Sequence, residues 1–290
     1  NDPWNGPKGT QGDSYYIAPN PPFGAVFTYY LSKGFESKIQ KRKKKEKSSI
    51  DRGKAVGFPG WDIVEEERRE LKPQIILEVK DKDGNTVRRL NGPVTKGFHR
   101  VAWDLRFPSP STISLSNPST NGSGFLAIPG RYTVSMFSKV DGKLNQLSEP
   151  QVFDVVPLRS GALPTDSFEQ ISSFWREYEK TAKRASAIQS SVANSLKKIG
   201  SMNIALSQSN ADVGDMDNRL DGLRSNILEM DEELSGNRSK MGPGEKNNPT
   251  VGDRLFVVQR VIEYSTYGPT ETALETLQLV QKDLDKIENQ

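Results

Sequence analysis

The chain is 290 residues long, with 34% apolar and 27% charged residues, a formal net charge of +3, a single histidine and no cysteine. That length allows two domains, each large enough to bury its own core. Composition excludes disulfides, thiolate nucleophiles and cysteine-ligated metals; the lone His99 excludes a His-rich zinc site; no apolar run of about eighteen residues is present to span a membrane as a helix.

Residues 1–24 are rich in Gly, Pro and Asn and read as an extended N-terminal arm. The opening from Asn1 reads as a fragment or processed product, with no secretory or lipid-anchor signal in view. Residues 25–157 read as β-structure that carries a charged, partly helical insertion at 33–72. Between Lys33 and Lys54 the net charge is +7, so the remainder of the chain is mildly acidic at −4. Trp61 to Glu70 carries −3 and is suited to fold back on the basic stretch. A solvated excursion is the expectation, with a phosphate-backbone contact as the alternative. No aromatic side chain lies between Lys38 and Lys47 to act as a stacking platform, so no specific nucleic-acid partner is expected.

Period-two patterns and turn residues place about seven strands, at 25–31, 74–80, 86–90, 98–105, 131–138, 143–147 and 151–156. Ile75, Leu77 and Val79 alternate with their neighbours, and Asp83-Gly84-Asn85 supplies a hairpin turn. In the fourth strand Val101, Trp103 and Leu105 are expected on one face, with His99 outside that set. Pro108 and Pro110 stop that strand, and Ser109 to Gly124 is a polar loop without periodicity. The strand count fits a two-layer sandwich in which each sheet buries one apolar face.

Residues 165–290 read as helices. Phe168, Ile171, Trp175, Tyr178, Ala182, Ala185, Val192, Leu196 and Ile199 recur every three or four residues, with Gln189 as the polar interruption and Gly200 after the last position. Asp166 or Ser167 is placed to cap the start. A second stripe runs Met216, Leu220, Leu223, Ile227, Met230 and Leu234 before Gly236. A third begins after Pro249-Thr250, breaks at Gly268-Pro269, and resumes after Thr270. The fold class is therefore all-β plus all-α in two domains: an Ig- or fibronectin-like β-sandwich followed by an antiparallel up-down-up helical bundle with a broken third helix. The aromatic end of the first helix, around Trp175, is expected to face the sandwich.

Chemistry is sparse. Asp62, Asp104 and Asp154 adjoin apolar β-sequence, but no spacing pairs them as a glycosidase would require. Asp81-Lys82-Asp83-Gly84-Asn85 has the start of a calcium loop without its closing glutamate. His99 has no evident nucleophile and is expected to bond a backbone carbonyl. No catalytic, cofactor-binding or metal-ligating residue is identified. The residues singled out are structural: Trp103, Asp104, Arg106, Tyr132 and Trp175. Trp103 is read as a core side chain, with sugar stacking as the alternative.

Several ordered blocks carry a resemblance. They are Asn20-Pro21-Pro22-Phe23-Gly24-Ala25 with Tyr29-Tyr30-Leu31, Asp83 to Leu90, Gly97 to Arg106 including Trp103-Asp104-Leu105-Arg106, and Pro129-Gly130-Arg131-Tyr132-Thr133-Val134. Together they resemble the C-terminal region of large bacterial proteins with sortilin-like (BNR/VPS10-type) β-propellers, often labelled glycosyl hydrolase-like. The resemblance covers most of 18–160, includes an insertion like Lys33 to Glu70, and continues more weakly into the helices. It implies an upstream propeller in the same parent chain, a protein or glycan as a further partner, and a secreted or cell-surface address. This chain has no Ser-x-Asp-x-Gly-x-x-Trp repeat, so no propeller residue transfers to it. The reading is a noncatalytic accessory or scaffold module that supports or docks the propeller. The rival is a part of a carbohydrate-active hydrolase that completes a cleft with it.

Overall fold

The structure, a computed structural model, describes residues 21–113, 118, 123–158, 167–264 and 267–289. Most of the expected arm, the Pro164 to Asp166 helix entry and much of the Ser109 to Gly124 loop lie outside them. A β-region precedes an α-helical bundle, and the chain divides into two compact units. One runs up to Arg106 and resumes at Arg131–Phe153; the other comprises Phe107–Gly130 and the chain from Asp154 onward.

In chain order the elements of the β-region are β1 (Ala25–Leu31), α1 (Lys38–Ile50), α2 (Trp61–Arg69), β2 (Gln74–Lys80), β3 (Thr86–Gly92), β4 (Gly97–Trp103), β5 (Arg106–Pro108), β6 (Ser123–Leu126), β7 (Gly130–Val140), β8 (Lys143–Gln146) and β9 (Gln151–Val155). β1 pairs antiparallel with β4, from Ala25 opposite Trp103 to Leu31 opposite Gly97. A five-stranded sheet has the order β3-β2-β7-β8, with β9 also on β7, while β5 and β6 pair with each other. Ile75, Leu77 and Val79 on β2 are buried, as a period of two requires of one face. The charged insertion is a helical hairpin. The Lys38 backbone N–H donates to Glu70 at 2.6 Å, and Arg42 grips Glu67 through two bonds of 2.6 and 2.8 Å, so the contacts step back along α2 as they advance along α1 and the two helices run antiparallel.

Two sequence expectations change here. His99 lies on the same face as Val101 and Trp103, opposite Tyr29, because residues 99, 101 and 103 share one parity on a strand. Leu105 is the residue outside the set: the strand ends at Trp103 and Leu105 turns to φ 58°. The short strands β5 and β6 went unforeseen because three or four residues flanking a polar loop carry no periodic signal.

The helices are α3 (Phe168–Ser207), α4 (Met216–Ser235), α5 (Arg238–Met241), α6 (Val251–Tyr264) and α7 (Glu271–Glu288). Ser167 caps α3 reciprocally with Gln170, Thr250 does the same for α6 with Asp253, and the Thr270 hydroxyl accepts from the Ala273 N–H to start α7. α3 passes through Gly200 to Ser207, beyond the expected end. Glycine weakens a helix interior without terminating it, and Met202 and Leu206 line a groove with Met216 and Leu220 of the returning α4. Gln189 bonds Ser235 at the other end, so α3 and α4 are antiparallel.

Gly268-Pro269 marks a full reversal where a break in one helix was expected. Arg254 pairs with Asp283, and Val258 shares a cluster with Ala273 and Leu277, which makes α6 and α7 an antiparallel pair. α7 runs parallel to α3: Gln281 bonds Glu177 and Thr181, and Arg184 forks onto Asp285 and Glu288. Two apolar clusters fill the bundle, one around Trp175, Tyr178, Val258 and Leu277, the other around Val192, Leu234, Val280 and Leu284.

Candidate functional site

The run from Trp103 to Arg106 is where the resemblance is densest and where a polar site would be sought. Trp103 has no exposed surface, and its indole N–H donates to the Arg106 carbonyl at 3.0 Å. The Asp104 carboxylate accepts from the Arg106 backbone N–H at 3.0 Å, closing an Asx turn that holds Leu105 in the left-handed region. Rings from the β1–β4 pair and from the five-stranded sheet meet here. Trp103 lies edge-on to Tyr132 of β7 at 5.5 Å and to Phe153 of β9 at 6.2 Å, and Phe153 in turn meets Phe27 of β1. Gly24 explains why the Pro-Pro-Phe-Gly block ends as it does. Its φ is 109°, and a β-carbon there would sit 1.9 Å from the Trp103 carbonyl oxygen.

The remaining sequence candidates are placed separately. Asp62 is in the first turn of α2, Asp104 in the turn after β4, and Asp154 within β9. Asp81 closes the β2–β3 hairpin by accepting from the Asp83 and Asn85 backbone N–H groups at 3.0 and 2.9 Å and from the Asn85 side chain at 3.1 Å. The same carboxylate that suggested a calcium loop is thus occupied by turn donors. His99 Nε2 bonds the Thr95 carbonyl at 2.6 Å, and its ring rests 5.2 Å from Tyr29. Among the described residues no group of three or more His, Asp or Glu side chains is placed to hold a metal ion.

A buried carboxylate that the sequence reading missed is Glu78, on β2. Burial pushes its carboxyl upward, but hydrogen bonds from Arg89 and Lys80 outweigh that and hold it below the usual carboxylate range. The signal was present: Glu78 and Arg89 are cross-strand partners in the hairpin whose turn was identified.

Within the helical unit, a cavity of about 390 Å³ opens between the Phe107–Gly130 segment and α3, α4 and α6. Phe125, Tyr178, Ser186, Gln189 and Gln259 are among its walls, and Tyr178 is the one titratable side chain among the described lining residues. Thr112 ties the segment down through Ser186 and Ser190 at 2.9 and 2.8 Å. The rings of Phe107, Phe125 and Trp175 follow one another in tilted contact, with centroids 5.0 and 5.3 Å apart. Trp175 therefore meets an aromatic hairpin within its own unit. No sequence pattern announces this, since Phe107 and Phe125 are separated by a largely polar stretch without periodicity.

No protein-family model, curated protein or solved structure matches the chain.

Proposed function

We propose that this chain is a noncatalytic accessory module of a larger secreted or cell-surface protein, built to support or dock a β-propeller in the same parent. The β-region is read as an Ig- or fibronectin-like sandwich whose core is the Phe27, Trp103, Tyr132 and Phe153 ring cluster. The observation that carries the reading is the fate of the polar groups in the resembling blocks. Asp104, the Trp103 indole and Asp81 spend their hydrogen bonds on closing their own turns, and His99 spends Nε2 on a backbone carbonyl. Residues used in this way build a fold and leave little for a substrate.

A docking role is supported by the outer face of β1 and β4, where Tyr30 and Phe98 stand side by side, ring centroids 4.8 Å apart, with Phe98 77% exposed. The test is co-purification of this chain with the separately produced upstream region of its parent gene product. Retention that drops by about tenfold or more in Tyr30→Ser/Phe98→Ser supports docking through this face. No retention of the wild-type chain overturns the reading.

A further inference from the structure

The α1–α2 hairpin ends in a tip that a merely solvated excursion does not need. α1 has no buried residue, and no ion pair engages Lys41, Lys43, Lys45 or Lys47 among the described residues. The acidic helix α2 pairs with the base of the hairpin, through Lys38 and Arg42, and its Glu67 also attracts Lys43. Toward the tip the positive charge is left to solvent. There the chain also exposes Ile50, Val56, Phe58, Trp61 and Ile63, with Trp61 78% and Phe58 63% exposed. Phe58 and Trp61 pack edge to face at 4.8 Å, so the two rings form one apolar wedge. Gly53, Gly57 and Gly60 flank it, and nothing crowds their positions.

We propose that this tip docks on an anionic lipid surface, the lysines facing the phosphate headgroups and the Phe58–Trp61 wedge entering the interfacial layer. Basic residues around exposed aromatic and aliphatic side chains match both components of such a surface: lysines gain from its negative potential, and Trp and Phe favour the headgroup boundary. The chain lies on the bilayer in this account and does not cross it, in keeping with the fact that no described helix is long and apolar enough to do so. Nucleic acid fits less well. Its binders interleave rings with cations along a groove, whereas here the rings are paired with each other and accompanied by aliphatic side chains that offer no stacking face.

The test uses the full chain with vesicles of phosphatidylcholine alone or with phosphatidylglycerol, at about 150 mM salt. Co-sedimentation is expected only with the anionic vesicles. Lys41→Gln/Lys43→Gln/Lys45→Gln/Lys47→Gln is expected to weaken partitioning by about a hundredfold, and Phe58→Ser/Trp61→Ser by about tenfold or more, with circular dichroism confirming that each variant remains folded. Acyl chains brominated near the headgroup should quench tryptophan emission in the wild type, and Trp61→Phe should abolish the quenching while vesicle binding persists. Equal binding to both vesicle types, binding without Trp61-dependent quenching, or displacement from vesicles by a DNA oligonucleotide at lower concentration than by soluble phosphatidylglycerol overturns the proposal. Absence of vesicle binding overturns it as well and leaves the propeller test above unaffected, because the two surfaces share no residue.

Discussion

Gly24 and Gly53 both hold positive φ, yet their surroundings differ completely. A β-carbon at Gly24 would collide with the Trp103 backbone carbonyl, which cannot swing aside without breaking the β1–β4 pairing, whereas at Gly53 nothing lies within 4 Å. Gly24→Ala should therefore cost about 3 kcal/mol or more in chemical denaturation, and Gly53→Ala only about 1 kcal/mol, the ordinary penalty of an L-residue in that region. Glu78 supplies a pH-dependent companion. Its folded carboxyl titrates below the ordinary value of 4.5, so its stabilisation is complete above that value and is lost as pH falls through the folded one. Arg89→Ala removes one of the two cations that hold the carboxyl down and leaves Lys80 alone against burial. The folded carboxyl then titrates closer to the unfolded value, so urea denaturation between about pH 3 and 7 should show the variant's deficit against the wild type largest at neutral pH and shrinking as pH falls.

At the scale of elements, α3 separates packing from propensity. Trp175 is buried against Phe125, while Glu179 makes an i,i+4 pair with Lys183 at the surface. Trp175→Ala should cost about 3–5 kcal/mol and Glu179→Ala under about 0.5 kcal/mol. Gly200 lies inside the same helix with open space around its missing side chain, so Gly200→Ala should stabilise by about 0.5–1 kcal/mol in thermal or chemical denaturation. The heptad-like stripe through Ile199 and the Ser167 cap were legible because burial repeats with the helix period. The last two turns were not, because the Met216–Leu223 face they meet lies on the next helix and periodicity does not report which helices meet. The α6–α7 reversal has the same cause: Gly268-Pro269 announces an interruption, and the direction of the chain afterwards is decided by Arg254 with Asp283 and by Val258 with Leu277. The misplaced His99 was a different matter, since its parity with Trp103 was readable from the numbers alone.

Across the whole molecule, sequence reading located the β-region, the bundle and nearly every strand, because alternation and turn residues are local properties. It could not locate the aromatic contact between Phe125 and Trp175, or the cavity beside it, since both depend on the Phe107–Gly130 segment packing within the helical unit. The charge distribution was legible in full: the excess sits on one helical hairpin. What only coordinates supply is that among the described residues no ion pair engages Lys41, Lys43, Lys45 or Lys47 and that Phe58 and Trp61 stand exposed on the same hairpin.

The central claim is that the polar side chains of the resembling blocks hold the fold together and do no chemistry. It is tested most directly by incubating the folded chain with aryl-glycosides and sialosides and following release of the aglycone. The account predicts no turnover above buffer, and Asp104→Ala losing about 1 kcal/mol of stability through its Asx turn. Turnover that vanishes in Asp104→Asn or another single carboxylate variant, with the variant's stability unchanged, would contradict it.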